Sequence, residues 1–559
     1  MSFLQLATLI RRAGRLSIVF MLALGLAVAS EHVVAQPTPP PTPPAIAREF
    51  RAAWISPTEG GDWPSRPGLG IDEQKAELTS VLDAAKADGL NAVLLHVRTA
   101  ADAFYPSRHA PWSRYLVGRE GAGRSLGDYQ GYDPLALAVT EAHARGLQLH
   151  VWFNPFRAMP PDNLGRPITG HVTRTHPEWV RHYGKTTWID PGIPAARRAV
   201  LDCILEVVDR YDIDGVHLDD YFYPYLEEAT ITHVVGRKKH RRRITRHVTL
   251  RFPDDASWKK YGRLRGWTDR DAWRRANIDD FVQTLYREVK ARKRWVLVGI
   301  SPFGIWRPGH PEGITGLDSY AETFADTRRW LREGWVDYLA PQLYWPLDNP
   351  QQRFTRLDAW WRSENVLNRH LWPGLFTMMV GSRNNPWPAD EIAREVDALR
   401  GARTGSSESL GHVHFRMRTL WQHVDGDTLT FGEELRAAAY REPALPPASP
   451  WLGDASPALP IIAPPTSGVQ QSGDDGPRVP GLTSAIMLAS PGDSVWVRWW
   501  LVQTLGANQR WSERLVPANR APLGLTPADT AGAEWIAVTA ISRTGVAGAP
   551  ALWRVGASR

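Results

Sequence analysis

Two adjacent aspartates follow a short apolar run in the middle of the chain, where the sequence is DGVHLDDYFYP over residues 214–224. The run Gly215–Leu218 is typical of a β-strand, which places Asp219 and Asp220 at its carboxyl end. Because side chains alternate along a strand, one carboxylate can face a pocket while its neighbour holds a loop or a histidine. Hydrolysis of a glycosidic bond needs two carboxyl groups, one acid and one base or nucleophile. Asp219 or Asp220 can supply one of them; the alternative is that both cap loops or pair with arginines.

The position of a second carboxyl group is open. The candidates on other loops are Glu59, Asp102, Glu227, Glu228, Glu322 and Asp326. Glu227 comes soon after the aspartate pair, on a loop from which an acid can approach the same bond. Glu322 and Asp326 have helical spacing, and the alternative for them is an ion pair with a following arginine, Arg328 or Arg329. Together with the aspartate pair, Glu227 completes our set of candidate catalytic residues.

Polar and aromatic side chains recur at the ends of the predicted strands. Amide and guanidinium groups hydrogen-bond to hydroxyls and carboxylates, and Tyr and Trp rings provide a floor on which sugars stack. Any one of these residues, taken alone, is equally explained by a structural hydrogen bond. The candidate substrate-binding residues are His96, Arg98, Asp102, Asn154, Arg157, Tyr221, Tyr223, Gln342, Tyr344 and Trp345.

The composition favours carbohydrate over nucleic acid as a partner. The chain has 26 Trp among 559 residues, and flat indole faces stack on sugar rings, although Trp also fills protein cores. An excess of 66 basic over 59 acidic side chains gives a net charge of only +7. That excess is small for this length and does not by itself indicate nucleic-acid binding. We therefore expect no nucleic-acid partner.

No metal or cofactor chemistry is predicted. The sequence has no HExxH, no GxSxG elbow and no phosphate-binding glycine-rich loop, and His150 and His217 fall inside strands without forming a ligand triad. The single cysteine, Cys203, lies in an apolar helical run. An intrachain disulfide and a cysteine-based zinc site are both excluded.

Apolar β-type runs alternate with helical stretches between residues 48 and 441, and this pattern must position the polar residues. The predicted strands are Arg51–Ser56, Ala92–Arg98, Gln148–Asn154, Gly215–Asp219, Val296–Ser301, Tyr338–Gln342, Leu371–Thr377 and His412–Arg416. Clear helices are predicted over residues 72–88, 134–145 and 195–210. Eight repeats of this kind indicate an α/β fold, a closed (β/α)₈ TIM barrel, with an open doubly wound sheet as the alternative. Active sites of such barrels lie at the carboxyl ends of the strands, where the candidate residues fall.

The flanking segments predict export and a second domain. Three arginines precede the apolar run from Leu16 to Ala29, and small residues allow cleavage after Ala35, as in a secretory signal; the alternative is an uncleaved anchor. We expect a periplasmic or secreted protein without an integral membrane span after cleavage. The predicted divisions are a signal peptide 1–35, a Pro-rich tether 36–47, the barrel 48–441, a linker 442–481 and a small fibronectin type III-like β-sandwich domain 482–559.

An insertion after the fourth strand, residues 225–270, contains a basic stretch at positions 237–243 with the sequence RKKHRRR. One interpretation is a patch that contacts an acidic glycan or nucleic acid. The other is the solvated tip of a hairpin.

Long motifs in the barrel region resemble the glycosyl-hydrolase-like family 10. They are FRAAWIS, LLHVRTAADAFYPS, GYDPLALAVTEAHARGLQLHVWFNPFR, WIDPGIP, DGVHLDDYFYPY, GISPFGIWRPG, AETFADTRRW and DYLAPQLYWP, and they run from about Arg48 to about Arg441. The resemblance implies a (β/α)₈ glycosidase in which an acid beside the DDYFY strand end is the catalyst, here Asp219, Asp220 or Glu227. The loop after that motif is longer than the family pattern because it carries the basic stretch.

The resemblance also implies a bacterial glycan as substrate, either peptidoglycan strands stripped of stem peptides or partially deacetylated poly-N-acetylglucosamine. A muramic residue without its peptide exposes a lactyl carboxylate, with which Arg98, Arg157 and the basic loop could pair. The deacetylated polymer is cationic and would prefer an acidic groove. We therefore predict an exported glycoside hydrolase of peptidoglycan. The alternatives are a non-catalytic glycan-binding wall-attachment protein and a hydrolase of another exported polysaccharide; protein partners are open.

Overall fold

A computed structural model describes residues 40–58, 61–118, 129, 131–159, 168–235, 242–382, 386–402, 410–421, 423, 429–463, 486–489, 496–518, 523–525 and 532–555. The predicted signal, residues 36–39 of the tether, Glu59 and positions 237–241 of the basic stretch lie outside these residues. The elements below all belong to one unit, Ala45–Arg559. No helix within the described ranges is long and apolar enough to cross a membrane.

The strands and helices are numbered in chain order. The strands are β1 Ala47–Arg48, β2 Phe50–Ile55, β3 Ala92–Arg98, β4 Gln148–Phe153, β5 Arg157–Met159, β6 Val180–Tyr183, β7 Thr186–Ile189, β8 Gly215–Leu218, β9 Glu228–Val235, β10 Arg242–Thr249, β11 Leu297–Ile300, β12 Tyr338–Leu339, β13 His370–Leu371, β14 Gly374–Leu375, β15 Gly411–His414, β16 Ala444–Leu445, β17 Ile461–Ala463, β18 Ile486–Ala489, β19 Val497–Gly506, β20 Trp511–Pro517, β21 Leu523–Leu525, β22 Ala533–Ser542 and β23 Ala551–Arg554. The helices are α1 Ile71–Ala87, α2 Arg114–Val117, α3 Pro134–Ala144, α4 Val172–Thr175, α5 Pro194–Arg210, α6 Asp255–Ser257, α7 Arg270–Arg292, α8 Ser319–Glu322, α9 Thr327–Arg332, α10 Phe354–Glu364, α11 Glu391–Gly401, α12 Met417–Leu420 and α13 Phe431–Ala439.

The central sheet is parallel and closes on itself. Its order is β13-β12-β11-β8-β4-β3-β2-β15-β14. Strands β13 and β14 are two parts of one run, interrupted at Trp372 and Pro373, and they pair with β12 and β15 respectively. Because both ends of the sheet belong to the same run, the sheet forms a barrel with eight strand positions. This confirms the predicted barrel and excludes the open doubly wound sheet.

Each of the eight predicted runs contains a barrel strand, and the predicted helices are present. Helix α1 packs Leu78, Val81 and Leu82 into the core on one face, as its apolar spacing requires. Helix α3 begins with Pro134 at its first turn, where Asp133 accepts a 3.0 Å hydrogen bond from the backbone nitrogen of Ala136. Such a cap satisfies a helix donor that has no intrahelical partner.

A chain of hydrogen bonds crosses the barrel interior. Trp54 Nε1 donates to His217 Nε2 over 3.1 Å, and the Tyr338 hydroxyl lies 3.0 Å from His217 Nδ1 and 2.9 Å from His150 Nδ1. An indole nitrogen can only donate, so His217 Nε2 is the acceptor and the proton of the neutral ring sits on Nδ1. Both histidines are interior, as predicted. Within the described ranges no cluster of His, Cys, Asp and Glu could hold a metal ion.

Two additions surround the mouth formed by the carboxyl ends of the barrel strands. After β4, strands β5, β7 and β6 form a small antiparallel sheet. After β8, the predicted insertion contains a two-stranded ribbon in which β9 and β10 pair from Glu228 with Thr249 to Val235 with Arg242. Helices α6 and α7 then return the chain to the barrel. The β5–β7 sheet was not predicted.

The C-terminal region is antiparallel and packs on the opposite end of the barrel. It contains a sheet of order β20-β19-β22-β23 and a smaller one, β17-β18-β21. Arg498 of β19 pairs with Asp212 at 3.0 Å and with Asp214 at 2.9 Å, two residues that directly precede β8. The first part of the predicted linker also packs on this end of the barrel. Trp451 Nε1 donates a 2.9 Å hydrogen bond to Asp337, which directly precedes β12. The contacts described for this region therefore lie at the end of the barrel opposite the mouth.

Candidate active site

The aspartate pair lies directly after β8, at the mouth of the barrel. Asp219 and Asp220 are 8% and 3% exposed. Asp219 Oδ1 accepts hydrogen bonds from the backbone nitrogen of Asp220 at 3.0 Å and from Gln342 Nε2 at 3.3 Å. The same amide nitrogen lies 3.2 Å from both the carbonyl and the hydroxyl oxygen of Ser301. Gln342, a predicted site residue, thus ties together the ends of three neighbouring barrel strands.

Burial keeps a proton on this pair. It raises the pKa of Asp219 well above the ordinary range, and the adjacent charge of Asp220 and a hydrogen bond to it act in the same direction, while Arg157 opposes them. Burial also raises the pKa of Asp220, against the hydrogen bond from Tyr225 and that from Asp219. The pair therefore titrates as a unit, with Asp219 the more readily protonated member. One member of the pair can therefore act as an acid while the other remains a carboxylate, because their surroundings differ.

Tyr225 fixes Asp220 and was not among the predicted residues. Its hydroxyl donates to Asp220 Oδ2, and its ring meets that of Tyr221 edge to face, with 5.5 Å between centroids. No donor nitrogen or hydroxyl among the described residues reaches Asp220 Oδ1. The signal for Tyr225 was present in the motif DDYFYPY, since aromatic hydroxyls crowd the residues after the pair.

Arg157 lies over an aromatic wall beside the pair. Its guanidinium carbon is 4.2 Å from the ring centroid of Tyr221 and 5.8 Å from that of Trp188. The small sheet sets this arrangement, because Arg157 begins β5 and pairs with Trp188 of β7. Stacking leaves the edge of a guanidinium free for hydrogen bonds, and Arg157 Nε is buried with no partner in the described part of the chain.

Other buried polar atoms at the end of β4 also lack partners. These are Trp152 Nε1 and Asn154 Oδ1, within the ranges that the structure describes. Buried polar atoms are almost always hydrogen-bonded, so a group of them beside Arg157 indicates a ligand site. His96 stacks on Trp152 with 3.8 Å between ring centroids. Burial, followed by the charge of Arg157, lowers the pKa of His96 well below its ordinary value, so the ring is neutral.

Aromatic rings complete the mouth on the side of β12. Tyr344 stacks on Phe376 at 4.6 Å. Burial, and then the charges of Asp219 and Asp220, raise the pKa of its hydroxyl, which places that hydroxyl near the pair. Trp345 is partly exposed and meets Phe303 edge to face at 5.6 Å. Both were predicted as sugar-contacting residues, and both line the mouth.

Arg98 and Asp102 organise a loop instead of facing the pair. The pairing of β3 with β4 shifts register between His96 and Arg98, so Arg98 is no longer on the same side as His96. Burial raises the pKa of Tyr105 and of Cys203, and the charge of Arg98 opposes this rise, so Arg98 lies near these two residues behind the strand. Asp102 accepts 2.9 Å hydrogen bonds from the backbone nitrogens of Thr99 and Ala100. Its carboxylate is used by its own loop.

Tyr223 and Glu227 lie on the far side of the segment that carries Tyr225. Tyr223 is 1% exposed, with its ring against Phe252 and Phe324. The Glu227 carboxylate accepts a 3.3 Å hydrogen bond from the backbone nitrogen of Lys185, on the turn between β6 and β7. The longer loop therefore places Glu227 against that turn and away from the aspartate pair.

Two of the remaining candidate carboxylates, Glu322 and Asp326, have local partners. Glu322 accepts from the backbone nitrogen of Asp318 at 3.2 Å. Asp326 accepts from the Trp306 indole and from the backbone nitrogen at the start of α9. The alternative that one of them pairs with Arg328 or Arg329 is wrong, because those side chains pair with Glu364 and Asp279. Glu228 is exposed at the first position of β9.

Comparison with known proteins identifies the class. The family model described as "Glycosyl hydrolase-like 10" matches residues 49–388, and the chain belongs to this family. It is 37% identical over 425 residues to the glycosyl hydrolase YngK of Bacillus subtilis, covering 74% of this chain and 76% of that protein. It is 31% identical over 345 residues to the glycosyl hydrolase DigH of Escherichia coli, covering 58% of this chain and 72% of that protein. The protein is a glycoside hydrolase.

Among solved structures, α-L-fucosidase isoenzyme 2 from Paenibacillus thiaminolyticus is similar, with a TM-score of 0.41 and 12% identity. The match covers 70% of this chain and 49% of that one.

Proposed function

We propose that the protein hydrolyses peptidoglycan glycan strands that lack stem peptides, using the Asp219–Asp220 pair. The observation that carries this proposal is the buried, proton-holding pair surrounded by polar atoms without partners. In the proposed reaction Asp219 protonates the glycosidic oxygen, and the bond between that oxygen and the anomeric carbon breaks, so that the oxygen leaves as a hydroxyl of the released strand. The Asp220 carboxylate, oriented by Tyr225, faces the positive charge that develops on the sugar. A water molecule then adds to the anomeric carbon, and its proton returns to Asp219. Rings of Tyr221, Tyr344 and Trp345 stack on the sugars.

The preference for stripped strands rests on charge. In intact peptidoglycan the lactyl group of a muramic residue is linked to the peptide and carries no charge. Removal of the peptide leaves a carboxylate, which Arg157 can bind through its free Nε while its face stays on Tyr221. Asn154 and Trp152 offer an acceptor and a donor for the acetamido and hydroxyl groups nearby. A cationic, deacetylated glucosamine polymer would meet Arg157 with like charge.

We also propose that residues 1–35 are a signal peptide that directs the protein to the periplasm or the medium. Residues 36–47 form a tether and residues 48–441 the catalytic barrel. Residues 442–481, which include β16 and β17, connect it to a fibronectin type III-like domain, residues 482–559. The antiparallel order β20-β19-β22-β23 is consistent with such a domain. Appearance of the protein in a periplasmic extract, shortened at Ala35, would support the export proposal, and a full-length cytoplasmic protein would contradict it.

The deciding experiment compares intact and amidase-stripped peptidoglycan as substrates, with mass spectrometry of the soluble products. We expect muro-oligosaccharides from the stripped material only, and none from the Asp219→Asn/Asp220→Asn protein. A matched control is Asp72→Asn/Asp397→Asn, whose side chains are 98% and 75% exposed; it should keep full activity. Equal digestion of intact and stripped wall would refute the substrate proposal. Undiminished cleavage by the first variant would refute the assignment of the pair.

A further inference from the structure

A cavity of about 860 Å³ lies behind the segment that holds Tyr225. Its walls come from that segment, the base of the ribbon, the start of α7 and the end of α8. The volume is within the range of small-molecule sites. Tyr225 contacts Asp220, whereas Tyr223, Pro224 and Leu226 line the cavity. A single strip of chain therefore separates this groove from the aspartate pair.

The groove is preformed. Tyr183 links two of its walls, because its hydroxyl donates to the Leu250 carbonyl at 3.2 Å and accepts from the Glu227 backbone nitrogen at 3.0 Å. Arg274 anchors the floor through Asp254, with contacts of 2.6 and 2.9 Å. A ligand would find these walls in place, so little ordering entropy would be lost on binding.

The lining chemistry suits an uncharged, hydroxylated ring. Three basic residues, Arg251, Arg270 and Arg274, face three acidic ones, Asp269, Asp271 and Glu322. This balance disfavours both anions and cations, since either would meet like charges. The rings of Tyr183, Tyr223, Phe252 and Phe324 also line the cavity, but each is less than 9% exposed. A ligand would therefore meet mainly the polar groups of the lining, which suits the hydroxyls of a sugar.

The rim of the groove carries an exposed apolar side chain. Leu226 leaves 51% of its surface exposed at the rim, where an apolar sugar face would cover it.

We infer that the groove is a second carbohydrate subsite that binds an uncharged N-acetylated hexosamine of the same glycan strand, beyond the residues at the cleaved bond. The inference rests on the proposed function for the identity of the strand. It makes the protein an enzyme for long chains, because a strand that passes from the aspartate pair over the Tyr225 segment gains the contacts of the groove.

The test measures the affinity of the Asp219→Asn/Asp220→Asn protein for N-acetylglucosamine oligomers by calorimetry. We expect the hexamer to bind at least about tenfold more tightly than the dimer, a gain equivalent to one well-packed contact. Introducing Leu226→Asp into the Asp219→Asn/Asp220→Asn protein should abolish this dependence of affinity on oligomer length. Adding Leu264→Asp, at a residue 75% exposed and outside the groove, should preserve it. Arg251→Ala is a second exposed groove variant and should act like Leu226→Asp.

Equal affinities for dimer and hexamer, or a hexamer preference that survives both groove variants, would overturn the inference. These outcomes are separate from those for the proposed function. Stripped peptidoglycan can be cleaved without any length effect, in which case the subsite fails and the hydrolase stands. Length-dependent binding without cleavage of stripped wall would instead support the subsite and refute the proposed substrate.

Discussion

The acidity of the site is set at the level of single hydrogen bonds. Asp219 and Asp220 are neighbours in sequence and both buried, yet only Asp220 receives a phenolic hydrogen bond, from Tyr225. That bond favours the charged form of Asp220 and leaves the proton on Asp219. An acid and a carboxylate therefore arise from two identical side chains because their surroundings differ.

Replacing Tyr225 with Phe should shift the acidic limb of the pH–activity profile to higher pH. The hydroxyl lowers the pKa of Asp220, so its loss raises the pH at which Asp220 becomes protonated and inactive. A strong hydrogen bond to a carboxylate corresponds to about one pKa unit or more, so activity below the limb should fall about tenfold. The measurement is kcat/KM on stripped glycan from pH 4 to 8. Tyr261→Phe is the control, and an unshifted limb would contradict the role of Tyr225.

Arg157 should decide whether a carboxylate-bearing strand is preferred. Arg157→Met removes a charge-assisted contact of about 1.5–3 kcal/mol, so kcat/KM on stripped peptidoglycan should fall about 10- to 100-fold. The same variant should lose far less on strands whose lactyl carboxylates have been chemically reduced to alcohols. Arg66→Met, at an exposed position, is the control. Equal losses on both substrates would show that Arg157 does not bind the carboxylate.

At the scale of elements, the sequence predicted the barrel strands and helices, because hydrophobic periodicity and turn residues determine them. Strands buried on both faces are continuous apolar runs, and for this reason all eight barrel positions were recognisable. The aspartate pair and Gln342 followed from strand ends alone. The orientation of Arg98 could not be predicted in this way, because a register shift in β3 depends on which backbone groups pair and not on residue type. Tyr225 and Glu227 depend on the path of a loop, which no periodic pattern encodes.

The first and last helices of the barrel meet at a buried acid, Asp88. Its carboxyl group follows α1 and occupies the space that a side chain at Gly432 of α13 would need. Burial, followed by the charge of Glu433, raises the pKa of Asp88 to about 7. The carboxyl is thus neutral below that pH, and ionisation weakens the junction of the two helices.

Asp88→Asn should therefore stabilise the protein at alkaline pH. The pKa of Asp88 is higher in the folded protein than in the unfolded one. The contribution of Asp88 to the free energy of unfolding is therefore complete below about pH 4 and declines as the pH rises to about 7. An amide does not titrate, so the variant should exceed the parent by about 1–4 kcal/mol at pH 8 and by little at pH 4. Thermal unfolding at the two pH values measures this. Asp397→Asn, on the surface, should show no such difference, and a pH-independent gain in Asp88→Asn would exclude ionisation as its cause.

For the whole molecule, the candidate active site and the attachment of the C-terminal strands lie at opposite ends of the barrel. The mouth contains the aspartate pair, whereas the base binds β19 through Arg498, which is 5% exposed. Arg498 contacts His143 and pairs with Asp212 and Asp214. Its charge contributes to lowering the pKa of Asp214. A change at this end should alter stability without altering the chemistry at the mouth.

Arg498→Leu should lower the free energy of unfolding by about 3–5 kcal/mol, because it leaves the Asp214 carboxylate buried without its cation. The depressed pKa of Asp214 contributes stability above its unfolded value, and that contribution disappears as the pH falls through the folded pKa. The deficit should accordingly be largest near neutral pH and shrink toward pH 3 in denaturant titrations. At temperatures where both proteins are folded, kcat should be unchanged, as it should in the exposed control Arg510→Leu. A fall in kcat that accompanies the loss of stability would instead mean that the β domain acts on the mouth through the barrel.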